Sequence, residues 1–259
     1  MKWYGVSASL LILAALLYAG HSASRERTPT SRTPVLVELF TSEGCSSCPP
    51  ADQVLAQLDR QPVAGAEIIA MSEHVDYWDS LGWKDPFSAA TFTARQHDYA
   101  QALGNKDIYT PQMIVDGQTE LLGNDAAEAI EAVAGASHRS KAPMSVNIIS
   151  ADASLAKVHV QINSFADLVR GDQVDVYVAI TENNLSTNVA RGENKGQKLT
   201  HVAVVRFLKV IGHVTPDRPF SADPVVRILD SWKRNDLQVI AFVQTNKKRH
   251  VLALSKIPL

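Results

Sequence analysis

Two residues of this chain carry thiol chemistry, and they stand together. Cys45 and Cys48 lie in Thr41–Asp52, TSEGCSSCPPAD, and no third cysteine exists to pair with either. A Cys-x-x-Cys pair supports three kinds of chemistry. As a redox couple it needs one thiolate, and such pairs at helix N-termini have depressed thiol pKa values. As part of a metal site it needs more ligands. Structural zinc takes four, commonly two such pairs or two cysteines and two histidines, whereas here the nearest histidine, His74, lies in a different element. Soft thiolates suit Cu(I) better, with His74 or His97 as a third ligand. As an inert clip the pair closes too short a loop to remove much chain entropy, well below the roughly 3 kcal/mol of a 15-residue loop. No resident metal or cofactor is expected, and Cu(I) is the alternative.

The flanking residues must position those sulfurs. Pro34–Phe40, PVLVELF, is nearly continuous apolar sequence, as in a buried strand. After the cysteines, ADQVLAQLD places Ala51, Leu55 and Leu58 on one helical face. The motif thus sits where a strand ends and a helix begins. Unsatisfied N–H groups and the positive end of the helix dipole favour a thiolate there. Pro49 and Pro50 fit a helix start but not its interior, and the hydroxyls of Ser46 and Ser47 add possible donors. Glu43 acts against the thiolate, raising a nearby thiol pKa or relaying its proton. The expectation is one exposed, anionic sulfur at the mouth of a helix.

Further along, Ile68–Met71 marks a second strand. Asp85 and Pro86 read as the cap and first residue of a helix that Gly104 stops. QMIV and QTELL, joined by Asp116-Gly117, read as a hairpin. Asn124 reads as the cap of a helix with Ala126, Ile130 and Val133 on one face. A Cys-x-x-Cys beside a strand–helix–strand pattern reads as thioredoxin-like. After Pro143 the texture turns to β, through MSVNIIS, AKVHVQIN, QVDVYVAIT, LTHVAVVRFLKV, LQVIAFVQT and HVLALSKI. The expected fold class is an α/β thioredoxin-like domain over residues 34–141, followed by a β-rich, sandwich-like domain over 142–259.

Composition excludes some functions. Hydrophobic residues make up 46% and charged residues 20%, and the net charge is −2, so no basic footprint for nucleic acid exists. Lys247–Arg249 reads as a solvated hairpin tip. Residues 1–24 have Lys2 before an apolar run from Val6 to Ala19, then small residues: a signal peptide or, uncleaved, an inner-membrane anchor. Residues 25–33 are a Ser/Thr/Pro/Arg linker. The body is expected in the periplasm or outside the cell, where a close cysteine pair holds a disulfide. Contact with a membrane is expected only through the N-terminal segment.

Five segments together resemble the bacterial family called domain of unknown function 1223: VELFTSEGCSSCPPAD, EHVDYWDSLGWKDPF, FTARQ, YTPQMIVDG and RGENKGQKLTHVAVVR, spanning residues 37–206. The resemblance implies a secreted protein with a thioredoxin-like part and a β-rich part. It implies that Cys45 attacks and Cys48 resolves, and that Thr110 and a cis Pro111 form the wall beside them. The chain departs from thioredoxin in Ser-Ser between the cysteines, in the two prolines after them, and in an insert near residues 79–104. Two patches admit two readings each. His74, Asp76, Tyr77, Trp78 and Trp83 form either a substrate surface or a packed anchor for the insert. Arg191, Glu193, Asn194 and His201 either face the motif or stabilise a hairpin. The expected activity is thiol–disulfide exchange with a protein or small-molecule partner. The alternatives are copper handling by the same thiolates and a non-catalytic binding protein with a passive disulfide.

Overall fold

The computed structural model describes residues 32–163, 172–215 and 218–259. The expected leader and most of the linker lie outside them. The described residues belong to one compact unit. Among them no helix is long and apolar enough to cross a membrane.

The first part of the chain forms β1 (Thr33–Thr41), α1 (Pro49–Arg60), β2 (Ala66–His74), α2 (Ala90–Leu103), β3 (Gln112–Val115), β4 (Thr119–Leu122) and α3 (Ala126–Ser137). The rest is strand: β5 (Met144–Ala151), β6 (Leu155–Ile162), β7 (Val174–Glu182), β8 (Leu185–Asn188), β9 (Lys198–His201), β10 (Val204–Val214), β11 (Phe220–Ala222), β12 (Val225–Arg227), β13 (Leu237–Thr245) and β14 (Val251–Pro258). The sequence reading places α1 and the β3–β4 hairpin correctly. It starts α2 too early, because Asp85 is drawn into a buried ion pair and the helix begins after Ala89. The cap of α3 is Asp125, which accepts the Glu128 N–H at 2.9 Å, and Ala129 rather than the exposed Ile130 faces the core with Val133.

The expectation of a thioredoxin-like domain followed by a separate sandwich is corrected by the sheet itself. One eight-stranded mixed sheet runs β14-β13-β7-β10-β2-β1-β3-β4, so strands from both halves of the chain share one hydrogen-bonded surface. The junction is the parallel pairing of β10 with β2, where Val204 registers with Ser72. The physical reason lies in β7 and β13. Every residue of β7 is buried, and so is nearly every residue of β13, as befits central strands covered on both faces. Their continuous apolar runs signal that burial. A half-solvated sandwich strand alternates instead.

One face of the large sheet carries α1 and α3 over Val35, Val37, Leu39, Ile68 and Ala70. Beside them, a small sheet of β5, β6, β11 and β12 covers Val176, Val178, Ile180, Val239 and Ala241. The opposite face carries α2. Phe92 packs with Leu36, Ile69 and Met71 from the first half and with Tyr177, Ala179 and Phe242 from the second.

Arg95 of α2 ties this face together. Its guanidinium lies 2.6 Å from Glu38 of β1 and 3.4 Å from Glu73 of β2, all three buried. It also lies over the rings of Tyr99, Tyr177 and Phe242, at 5.1, 5.2 and 5.3 Å from their centroids. Burial and repulsion from Glu38 hold the Glu73 carboxyl well above its ordinary range, while Glu38 keeps the Arg95 cation charged against its own burial. Arg95→Met removes one partner of a buried charge group and is expected to cost about 3–5 kcal/mol. Urea unfolding followed by near- and far-UV circular dichroism should show that loss as one shifted transition. Two separated transitions would contradict the shared sheet.

Candidate functional site

β1 delivers the chain to the cysteines and α1 carries it away. Cys45 and Cys48 form a disulfide with Cα atoms 5.4 Å apart. Both residues are fully buried, against the expectation of an exposed sulfur, whereas Ser46 and Ser47 between them are exposed. The two sulfurs differ in surroundings. Cys45 Sγ lies 3.3 Å from the Ser47 hydroxyl and 3.9 Å from the Thr110 carbonyl. Cys48 is the N-cap of α1, and its carbonyl accepts the N–H groups of Ala51 and Asp52 at 2.9 and 3.1 Å. Pro49 and Pro50 have no N–H to offer. The first turn therefore leaves no free backbone donor for a thiolate, contrary to the sequence reading, and the Ser47 hydroxyl is the contact that remains.

The Thr110–Pro111 bond is cis, and this segment lies beside the disulfide. Gly123 follows β4 and donates its N–H to the Pro111 carbonyl at 3.0 Å. A Cβ there would lie 2.7 Å from Leu39 Cδ1 and 3.1 Å from the Ala51 side chain, so only glycine lets this turn close on α1. Trp78 donates its indole N–H to Thr110 Oγ1 at 2.8 Å, and its Cβ sits beside Gly44. Trp78, Thr110, Pro111 and Cys45 thus come together. Asp76 accepts from Thr93 Oγ1 at 2.6 Å, and Tyr77 donates to Gln96 at 3.3 Å, so both tie the loop to α2. His97 is exposed on α2, away from this network. Among the described residues no group of three histidine, cysteine, aspartate or glutamate side chains is placed to hold a metal ion.

The loop before β9 covers the motif from the other side. Asn194, fully buried, donates its amide to the carbonyls of Glu43 and Cys45, both at 2.9 Å. Glu193 accepts the Ser46 N–H at 3.1 Å, and Ser46 holds its carboxyl below the usual range. Gly192, at φ +75°, rests against Trp83 and Gly82, where a side chain would crowd the Trp83 Cβ at 3.1 Å. Arg191 is exposed, and among the described residues it makes no hydrogen bond or ion pair to the motif.

Beneath the cysteines lies a buried charged cluster. The Glu43 carboxylate accepts the Trp83 indole N–H at 2.8 Å and faces His201 Nε2 at 3.2 Å. The other ring nitrogen of His201 is 3.5 Å from Asp52 Oδ2. The His74 ring stands edge-on to His201 with centroids 4.9 Å apart, and His74 Nδ1 pairs with Asp85 at 2.7 Å. Burial alone would raise the Asp85 carboxyl. His74 and the N–H groups of Glu43 and Phe87 outweigh it and hold Asp85 low. For His201 burial favours the neutral ring, but hydrogen bonds and charge from Asp52 and Glu43 prevail and push it up to about 10. His201 is therefore a cation at neutral pH. Asp52 escaped the sequence reading, although its place one helical turn after Cys48 was the available signal.

Because the His201 pKa is raised on folding, its contribution to stability is complete below the unfolded value of about 6.5. It is lost as pH rises toward 10. Urea unfolding at intervals between about pH 6 and 10 should show stability falling across that window, and His201→Asn should flatten the fall. An unchanged slope in the variant would refute the protonated assignment.

No curated protein matches this sequence. Among solved structures, protein AGR_C_4864 of Agrobacterium tumefaciens aligns with a TM-score of 0.65 at 25% identity, covering 88% of this chain and 95% of its own. HBP35 of Porphyromonas gingivalis aligns at 0.63 and 18% identity, covering 88% of this chain and 76% of its own, a likeness of fold alone. Both alignments take in strands from each half of the chain. The family model described as Protein of unknown function (DUF1223) matches residues 36–244, and the chain belongs to that family.

Proposed function

We propose that the Cys45–Cys48 pair is a thiol–disulfide exchange centre that is closed at rest and works when the loop around Asn194 parts from it. The observation that supports this reading is the asymmetry of the two sulfurs. Cys45 Sγ has the Ser47 hydroxyl at 3.3 Å and the Thr110 carbonyl at 3.9 Å, under two exposed serines. Cys48 is held in the first turn of α1. That division suits an outer attacking sulfur and an inner resolving one.

A passive clip explains less. With a sequence separation of 3 the bridge closes a very short loop, worth about 2 kcal/mol on chain entropy. Yet distant segments supply Thr110, Asn194 and His201 to enclose it. In this proposal Thr110 and Pro111 line the approach to Cys45, with Trp78 holding Thr110 in place and Glu43 in the charged floor. Asp76 and Tyr77 brace the loop that carries Trp78, and His74 lies in the charged floor beside His201. The leader pattern of the N-terminus, outside the described residues, is the ground for placing the reaction in the periplasm or beyond.

The electrostatics set the expected redox poise. Two buried carboxylates face one histidine cation, and the prolines of α1 remove N–H donors, so a thiolate gains little. A poorly stabilised thiolate favours the disulfide. Equilibrated against dithiol buffers, the pair should poise nearer the thioredoxin value of about −270 mV than the about −120 mV of a strong oxidant. The Cys48→Ser variant should trap a mixed disulfide through Cys45. A potential below about −300 mV together with no trapped partner would leave only the structural bridge.

A further inference from the structure

Arg206 stands in β10 at a break in its pairing with β7. Val205 registers with Thr181 and Phe207 with Ile180, so Arg206 is an extra residue with no partner across the ladder. Such a bulge re-aims a side chain, and bulges recur next to active sites. Here the guanidinium lies over the rings of Phe87 and Trp232, 5.2 and 5.5 Å from their centroids. Glu182 of β7 comes to 3.5 Å from its Nε. Arginine carries five N–H donors in a planar fork, yet among the described residues Arg206 donates no hydrogen bond.

This unused fork lines a cleft of about 240 Å³ between Pro86–Phe92, the β10 bulge and the loop after β12. Among the described residues Arg206 is the one charged group in the lining. Most of the rest is apolar: Phe87, Phe92, Phe207, Leu208, Leu229 and Trp232. The Ser88 hydroxyl, also in the lining, is already committed to Asp79 at 2.8 Å. Leu229 is 42% exposed, so the mouth of the cleft is greasy and open. Glu182 itself is buried, and its other carboxylate oxygen accepts the Lys233 N–H at 2.8 Å.

We propose that this cleft binds a small organic carboxylate with an apolar body, its carboxylate held on the Arg206 guanidinium. The guanidinium fork matches a carboxylate bidentately, and aromatic faces are its usual support. Pockets for drug-sized ligands run to roughly 300–1,000 Å³, so the body is small, on the scale of a single ring. A monoanion fits best. Burial works against the Arg206 cation and Glu182 supports it, so one further negative charge completes the balance. A dianion such as phosphate would meet one cation already shared with a carboxylate, and has no apolar body for the walls. Phe87 also stands edge-on to His74 and His201, at 5.4 and 5.8 Å between centroids. The cleft therefore shares a wall with the charged floor, but binding there calls on neither cysteine.

The test titrates the full-length chain with phenylacetate, followed by calorimetry and by tryptophan fluorescence. Phenylacetamide and inorganic phosphate serve as comparisons. Phenylacetate should fill one site with a Kd of about 1 mM or tighter, and both comparisons should bind at least about tenfold more weakly. Arg206→Lys keeps a charge opposite Glu182 but loses the fork, and should weaken phenylacetate binding about tenfold. Leu229→Glu sets a like charge at the exposed rim without touching the buried pair. It should also weaken binding, with circular dichroism and thermal unfolding as in the wild type. The proposal is overturned by the absence of saturable phenylacetate binding, by equal affinity for the amide or for phosphate, or by unchanged binding in either folded variant.

Discussion

One backbone contact organises the molecule: the Ser72 N–H of β2 donates to the Ala203 carbonyl at 2.8 Å, where β10 joins the edge of β2. An uncovered β2 would present a row of unpaired polar groups. Filling that edge with β10 makes one sheet of the two halves. It also fixes the residues just ahead of β10. His201 ends β9 two residues before Ala203, and Asn194 lies a short loop earlier, so both are delivered onto the end of β1 where the cysteines sit. Ala203 takes φ +50°, an uncommon conformation for alanine, and its N–H is held by Asn183 Oδ1 at 2.7 Å. The turn into β10 is thus pinned from both sides.

The chemistry of the site follows from what that delivery leaves buried. Glu43 and Asp52 belong to the cysteine motif itself, and alone they would be two carboxylates in a dry space, each costly unless paired. His201 arrives from the other half of the chain as their common cation. Trp83 adds an N–H to Glu43, and Asn194 satisfies the carbonyls on either side of Gly44. The first half therefore supplies the sulfurs and the negative charge, and the second supplies the positive charge and the cover. Neither half has a balanced site without the other.

Local features were legible in the residues because they depend on local physics. A strand, two cysteines, two prolines and an amphipathic helix can be read in order from Pro34 to Arg60. So can the Asp116-Gly117 turn, whose residues take φ of +56° and +71°; of the expected solvated tip at Lys247–Arg249 only the two lysines are exposed, because Arg249 is buried and pairs with Asp98. What escaped was long-range. Asp85 looks like a helix cap because Pro86 follows it, yet its carboxylate accepts the Glu43 N–H at 2.8 Å and pairs with His74. Arg206 interrupts an apolar run, and its purpose appears only when β7 brings Glu182 to 3.5 Å and Phe87 and Trp232 come under the guanidinium. The thioredoxin-plus-sandwich expectation failed for the same reason. Sequence texture marked where strands were, but strand order is set by which edges and faces need covering, and the unbroken apolar run VYVAI, Val176–Ile180, was the clue to a central strand.

The buried disulfide gives the C-terminal half a reason to exist in the proposed chemistry. A sulfur with no solvent exposure is attacked only after something moves, and in the proposed chemistry that segment is the Gly192–Gln197 loop. Its hold on the motif consists of Asn194 and an exposed Glu193–Ser46 contact, whereas the wall on the other side is anchored through Trp78, Gly123 and the β3–β4 hairpin. Charge-assisted contacts at an exposed position are weak in water, so Glu193 adds little to closure, and the two Asn194 hydrogen bonds carry most of it. In that proposal, opening exposes Cys45 beside Thr110 first, while Cys48, the N-cap of α1, stays enclosed. In the proposed chemistry, the same arrangement that protects the bridge thereby decides which sulfur a partner meets.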